Sequence, residues 1–146
     1  MIAGPFFEDV GVGDSIPDLV KEPVTEVQLV RYAGASGDFN PIHTVHRVAE
    51  QAGLGGVIAH GMLIMAFVAQ AITRWVPDRS LRKFKVRFSG ITRPGDVITV
   101  SGRVTGKHSE PGKGIVICQV EAKNQRGETK VTGEFEAELP TKTAVG

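Results

Sequence analysis

Two residues whose chemistry is complementary, Asp38 and His43, stand five apart in the segment Tyr32-Ala33-Gly34-Ala35-Ser36-Gly37-Asp38-Phe39-Asn40-Pro41-Ile42-His43. On a continuous helix, residues five apart differ by about 140° around the axis and point different ways. Pro41 excludes Asn40 from the helical region, so the backbone turns here and both side chains can aim at one point. A carboxylate and an imidazole converging on a water molecule form a general acid–base pair. Each tunes the other: the carboxylate favours imidazolium, while burial opposes charge on either group.

Ala59-His60-Gly61-Met62 opens a long apolar stretch that reads as a helix. Free N–H groups and the dipole at a helix N-terminus favour developing negative charge, and a glycine lets a ligand carbonyl come close to the backbone. Together these features make an oxyanion hole. Water addition to an α,β-unsaturated thioester needs these parts, because a base must deprotonate water, an amide must hold the enolate oxygen and a proton must reach the α carbon. No metal or covalent nucleophile is required. His46, with Asp38, His43 and His60, invites a metal site, but the spacing matches no common zinc pattern, and His46 reads as an exposed helix residue. Asp and Asn also favour turns for purely local reasons; the joint presence of His43 and the later His-Gly step favours the chemical reading.

These residues need a scaffold. Thr25 to Ala33 reads as a helix, with Thr25 and Gln28 as a capping box, Val27, Val30 and Tyr32 facing inward, and Gly34 ending it. A short helix is expected from about Thr44 to Ala52, closed by Gly53. Gly61 to Val76 is apolar on nearly every face, as in a helix wrapped on most sides, and Pro77 stops it; Met62, Met65, Phe67 and Trp75 read as core. Strand-like stretches come next at Leu81 to Phe88, Val97 to Lys107, Gly114 to Lys123 and Glu128 to Leu139. They are separated by Pro94-Gly95-Asp96, Glu110-Pro111-Gly112 and Gln125-Arg126-Gly127 turns. In the last stretch Val131, Gly133, Phe135, Ala137 and Leu139 share one face, with charged or polar residues on the other. Ile16 to Val24 adds an earlier strand. The expected class is α+β, an antiparallel meander curved around one buried helix, forming a single domain over residues 1–146 with its core at about 7–139. An exposed sheet edge would be covered by pairing in a dimer.

Composition narrows the functions available. With 146 residues, 41% apolar and 23% charged, the chain can bury one core. A net charge of +1 provides no electrostatic footprint for nucleic acid or anionic lipid. Any anionic ligand must therefore be met by local charges. The single cysteine, Cys118, has no intrachain partner and reads as a buried small hydrophobe. The first residues lack the basic region and apolar stretch of a signal peptide, and the apolar run from Met62 to Ala69 is too short to cross a bilayer. The expectation is a cytoplasmic protein.

Gly37-Asp38-x-Asn40-Pro41-x-His43, with Ala49 six residues on, resembles the signature of the (R)-specific enoyl-CoA hydratases, or MaoC-like dehydratases. The His60-Gly61-Met62 step and Val86-Arg87-Phe88 leading to Pro94-Gly95-Asp96 resemble that family as well, and the similarity runs from about Phe7 to Leu139. The resemblance implies a hot-dog fold, usually paired into a dimer, acting on acyl thioesters of CoA or acyl carrier protein without a cofactor. It implies that Asp38 and His43 are the catalytic pair, that Gly61 is the backbone oxyanion donor and that Asn40 supports the loop; His60 sets the loop before Gly61. The expected reaction is reversible hydration of a trans-2-enoyl thioester to an (R)-3-hydroxyacyl thioester. The residues leave open which of Asp38 and His43 takes the first proton, as coupled groups share their titration. One departure stands out. Some members carry a serine on the buried helix that bonds the catalytic aspartate, whereas Met62 to Ile72 holds no serine or threonine. Two rival readings are a hot-dog thioesterase and a non-catalytic acyl-thioester-binding subunit. The partner is then a second copy or a related chain in a heterodimer.

Overall fold

The computed structural model describes residues 4–145; Met1 to Ala3 and Gly146, at the two chain ends, lie outside the described residues. The main elements are β1 (Ser15–Val20), α1 (Glu26–Ser36), α2 (His46–Gln51), α3 (Gly61–Trp75), β2 (Leu81–Phe88), β3 (Thr99–Glu110), β4 (Lys113–Lys123) and β5 (Thr129–Leu139). The five strands form one antiparallel sheet in the order β1-β3-β4-β5-β2. The class is α+β, as expected, with strand ends shifted by a few residues and β1 ending at Val20 rather than Val24. The four-strand meander is corrected: β3, β4 and β5 form one, but β2 lies beyond β5 and does not touch β3.

On α3 the residues Leu63, Ile64, Phe67, Val68, Ala71 and Ile72 are buried. They form two rows of residues four apart, Leu63-Phe67-Ala71 and Ile64-Val68-Ile72, which lie side by side on one face of a 3.6-residue helix. That stripe packs with Val100 and Val104 of β3, Val116, Cys118 and Val120 of β4, and Val131, Phe135 and Ala137 of β5 in a single core. Each large apolar side chain removed from water there contributes about 1.5–3 kcal/mol. The opposite stripe of α3, Met62, Ala66, Gln70 and Arg74, is exposed. The helix is therefore wrapped on one side, not on most sides, and Met62 is not core. Trp75 and Met65 are half-buried.

Gly102, Val120, Gly133 and Val86 form one paired row across the sheet. A Cβ on Gly102 would lie 2.7 Å from the Gln119 carbonyl oxygen, and one on Gly133 would lie 2.6 Å from that of Lys85. Only glycine permits so close a backbone approach.

Helix α1 corrects two expectations. It runs past Gly34 and ends at Gly37, whose φ of 76° is the left-handed conformation that closes a helix. Its inward residues are Leu29 and Ala33, with Tyr32 half-buried, while Val27 and Val30 are exposed. The Thr25 hydroxyl does cap it, accepting the Gln28 N–H at 3.1 Å.

Candidate active site

The left-handed turn at Gly37 releases the chain from α1, and a series of short side-chain bonds shapes the loop from Asp38 to His43. The Asp38 N–H donates to Ser36 Oγ at 3.1 Å, and the Asn40 N–H donates to Asp38 Oδ1 at 3.2 Å. Asn40 Oδ1 in turn accepts the Ile42 N–H at 3.2 Å, capping a single 3-10 turn over Pro41–His43. Proline at the first position suits that turn because its missing N–H would have no partner there. The Asn40 amide thus restrains the aspartate that no serine on α3 reaches.

The turn brings His43 inward, 8% exposed, while Asp38 stays about half exposed. The His43 Nδ1–H donates to the Ile58 carbonyl at 2.8 Å. A carbonyl only accepts, so in the neutral ring Nε2 carries the lone pair. That nitrogen lies 3.7 Å from Asp38 Oδ2. The gap is too long for a direct hydrogen bond and is of a width that one water could bridge.

His60, 2% exposed, joins the parts together. Its ring stacks on His43 with centroids 3.8 Å apart and planes 24° apart, and it meets Tyr32 edge-on at 4.8 Å. Its Nε2–H donates to the Asp38 backbone carbonyl at 3.2 Å, whereas the buried Nδ1 has no partner. Burial above all holds its pKa below the usual 6.5, and His43 adds to this; the Asp38 carbonyl and charge oppose it. His60 also caps α3, so Gly61 is the first residue of that helix. The Leu63 N–H turns back to the His60 carbonyl at 3.1 Å, whereas those of Gly61 and Met62 have no partner within the helix. A Cβ on Gly61 would lie 3.2 Å from the ring of Phe88, at the end of β2.

Asp38, His43 and His60 present ligand-type atoms within 4.8 Å of one another. One ion held tetrahedrally by both rings at the usual zinc distance would keep their centroids roughly 5 Å apart. The stacking at 3.8 Å is closer than that, so this geometry suits acid–base work better than a metal. His46, on α2, is exposed, pairs with Glu26 and accepts the Val57 N–H at 3.3 Å; it stays outside the cluster.

The structure therefore gathers Asp38, Asn40, His43, His60 and Gly61 into one place. A MaoC-like domain model matches residues 12–126. The chain belongs to the MaoC-like dehydratase family. Its fold is the hot-dog fold shared by similar solved structures. It aligns with the unliganded (R)-hydratase PhaJ1 from Pseudomonas aeruginosa at a TM-score of 0.80 and 28% identity, covering 93% of this chain and 86% of that one. A monoamine oxidase regulatory protein from Archaeoglobus gives a TM-score of 0.83 at 28% identity, covering 97% and 99%. Among curated relatives, the fatty acid synthase subunit beta of Gibberella zeae is 37% identical over 117 residues, 77% of this chain. The chain spans only 6% of the length of that relative. A MaoC-like dehydratase is an enzyme of the hydro-lyase kind. Among the described residues, no helix is long and apolar enough to cross a membrane.

One group near the site is not foreseen from the sequence. The alternation in β5 puts Lys130 on the solvated face, yet it is 5% exposed, with Asp96 and Asn124 buried beside it. The loop between β2 and β3 covers it, and no local pattern announces that cover.

Proposed function

We propose that this MaoC-like protein hydrates trans-2-enoyl thioesters of CoA or acyl carrier protein, reversibly, to (R)-3-hydroxyacyl thioesters. The observation that supports this most is the 3.7 Å gap between Asp38 Oδ2 and the lone-pair nitrogen of His43, near the start of α3 at Gly61. One of the pair removes a proton from a water lying between them as its oxygen attacks the β carbon. The electron pair of the double bond moves onto the thioester oxygen, which the Gly61 N–H holds as an enolate. The enolate then collapses as a proton from the pair reaches the α carbon. Asn40 and His60 keep the two groups aimed, and no cofactor takes part.

A second copy is the proposed partner. Edge strand β1 is short, contains Pro17 and changes register between Ile16 and Leu19, features that blunt an edge. Strand β2 also shifts register, between Leu81 and Lys83, and carries Lys83 and Lys85, but it is longer, has no proline and ends at exposed Phe88, against Gly61. Pairing there would cover the open edge beside the site.

Loss of the conjugated enoyl absorbance when protein is added tests the reaction. Release of free thiol instead would identify a thioesterase. Binding without turnover, with activity appearing only when a related chain is added, would identify a non-catalytic subunit.

A further inference from the structure

We infer that Lys130 is a positioning residue for this reaction, acting through the loop between β2 and β3; this rests on the hydratase reading. The Ile58–Gly61 segment carries both arms of the site, and it is held from two sides. On one side the Ile58 N–H donates to the Ile42 carbonyl at 3.2 Å, and the Ile58 carbonyl accepts from His43 at 2.8 Å. On the other side the Ala59 N–H donates to the Thr92 carbonyl at 2.7 Å.

The loop bearing Thr92 is fixed by Lys130. The Lys130 carbonyl accepts the N–H groups of Ser89 and Gly90 at 3.0 and 3.3 Å, and the buried ammonium donates to the Ile91 carbonyl at 2.6 Å. Glu128 accepts from the same ammonium at 3.0 Å, and Asp96 lies 3.9 Å away. Asp96 closes the loop by accepting the Arg93 N–H at 3.0 Å, while Arg126 reaches its other oxygen at 3.3 Å. The same loop braces the approach to α1, with Gly95 donating to the Val24 carbonyl at 2.7 Å and Val24 donating to that of Asp96 at 2.9 Å. A buried ion pair is weak as a source of net stability. What this ammonium adds is a fixed position for the carbonyl next to Thr92, and through Thr92 for Ala59, His60 and the Gly61 amide. Small misplacements of such donors cost rate more than binding.

The test is Lys130→Met and Lys130→Arg in the whole chain, read by steady-state hydration kinetics and by amide deuterium exchange. In Lys130→Met, kcat is expected to fall about tenfold or more with KM within about twofold. Exchange should quicken at Ala59 while the β4 amides keep their protection. Lys130→Arg keeps the buried charge, so it carries the measurement if the methionine variant does not fold; it should show the same split in weaker form. Wild-type kcat and Ala59 exchange in the variants would overturn the inference. So would protection lost together at Ala59 and across β4, since that marks a purely structural lysine. If the wild-type protein hydrates no enoyl thioester, the proposed function fails while Ala59 exchange still decides whether Lys130 clamps the segment.

Discussion

Asp38→Asn separates the chemistry of the site from its architecture. The substitution keeps size and shape, and the amide oxygen can still accept the Asn40 N–H that Oδ1 accepts at 3.2 Å. What disappears is the charge facing His43 across 3.7 Å, at a side chain 51% exposed. Even a full ion pair so open to solvent contributes only about 0–1 kcal/mol to stability, and a carboxylate facing a neutral ring contributes less, so the unfolding midpoint should barely move. General acid–base catalysis contributes about 10²- to 10⁴-fold, which at about 1.4 kcal/mol per decade is roughly 3–5 kcal/mol of activation free energy. The expected result is therefore a large fall in kcat for enoyl-thioester hydration in a protein whose urea midpoint is almost unchanged. The assay is the initial rate of absorbance loss at saturating substrate, with far-UV circular dichroism on the same sample. A variant retaining kcat within about threefold would refute the acid–base role of Asp38.

Burial and close packing set three other outcomes. The unfolded chain binds a proton on His60 near pH 6.5 while the native ring resists it, so stability should fall as pH drops from 7 through this range. His60→Gln should flatten that slope by at most about 1.4 kcal/mol per pH unit, measured from denaturant midpoints between pH 7 and 5; an unchanged slope would speak against a buried neutral imidazole. Gly133→Ala should destabilise by about 1–3 kcal/mol in urea, because its methyl meets the Lys85 carbonyl at 2.6 Å, whereas Gly106→Ala meets nothing closer than 3.5 Å and should be mild. The Cys118 thiol is buried, and burial pushes its pKa up to about 12, so iodoacetamide at pH 8 should leave the native protein unlabelled and modify it only after unfolding.

What the sequence shows well is what short-range chemistry decides. Pro41 forces the turn between Asp38 and His43, Pro77 ends the buried helix, and β2 occupies the strand-like stretch from Leu81 to Phe88. The phase of α1 is not legible. Val27, Leu29, Val30 and Ala33 are all apolar, and only packing decides that Leu29 and Ala33 turn inward. Gly34 resembles a stop, yet a glycine is tolerated within a helix; the stop is Gly37, which alone takes the left-handed conformation there. The neighbour of β2 is equally hidden, because strand order is a long-range property. The same is true of Lys130: its burial comes from a loop some forty residues earlier in the chain folding over it, and parity along β5 carries no trace of that. The candidate site loop is legible because five residues and a proline set its shape. Its support is not, because it arrives from elsewhere in the chain.

The placement of β2 has a kinetic consequence. Leu81 to Phe88 pairs with β5, Thr129–Leu139, and with no strand made in between. Until β5 exists, the β2 segment has no partner in its own sheet, and the loop after it has no lysine to lie upon. Closing so long a chain segment carries an entropic cost that contacts repay only afterwards. On the ribosome the Asp38–His43 loop would thus emerge early, yet the proposed site would be complete only late, when the fifth strand docks and the loop after β2 can hold Ala59.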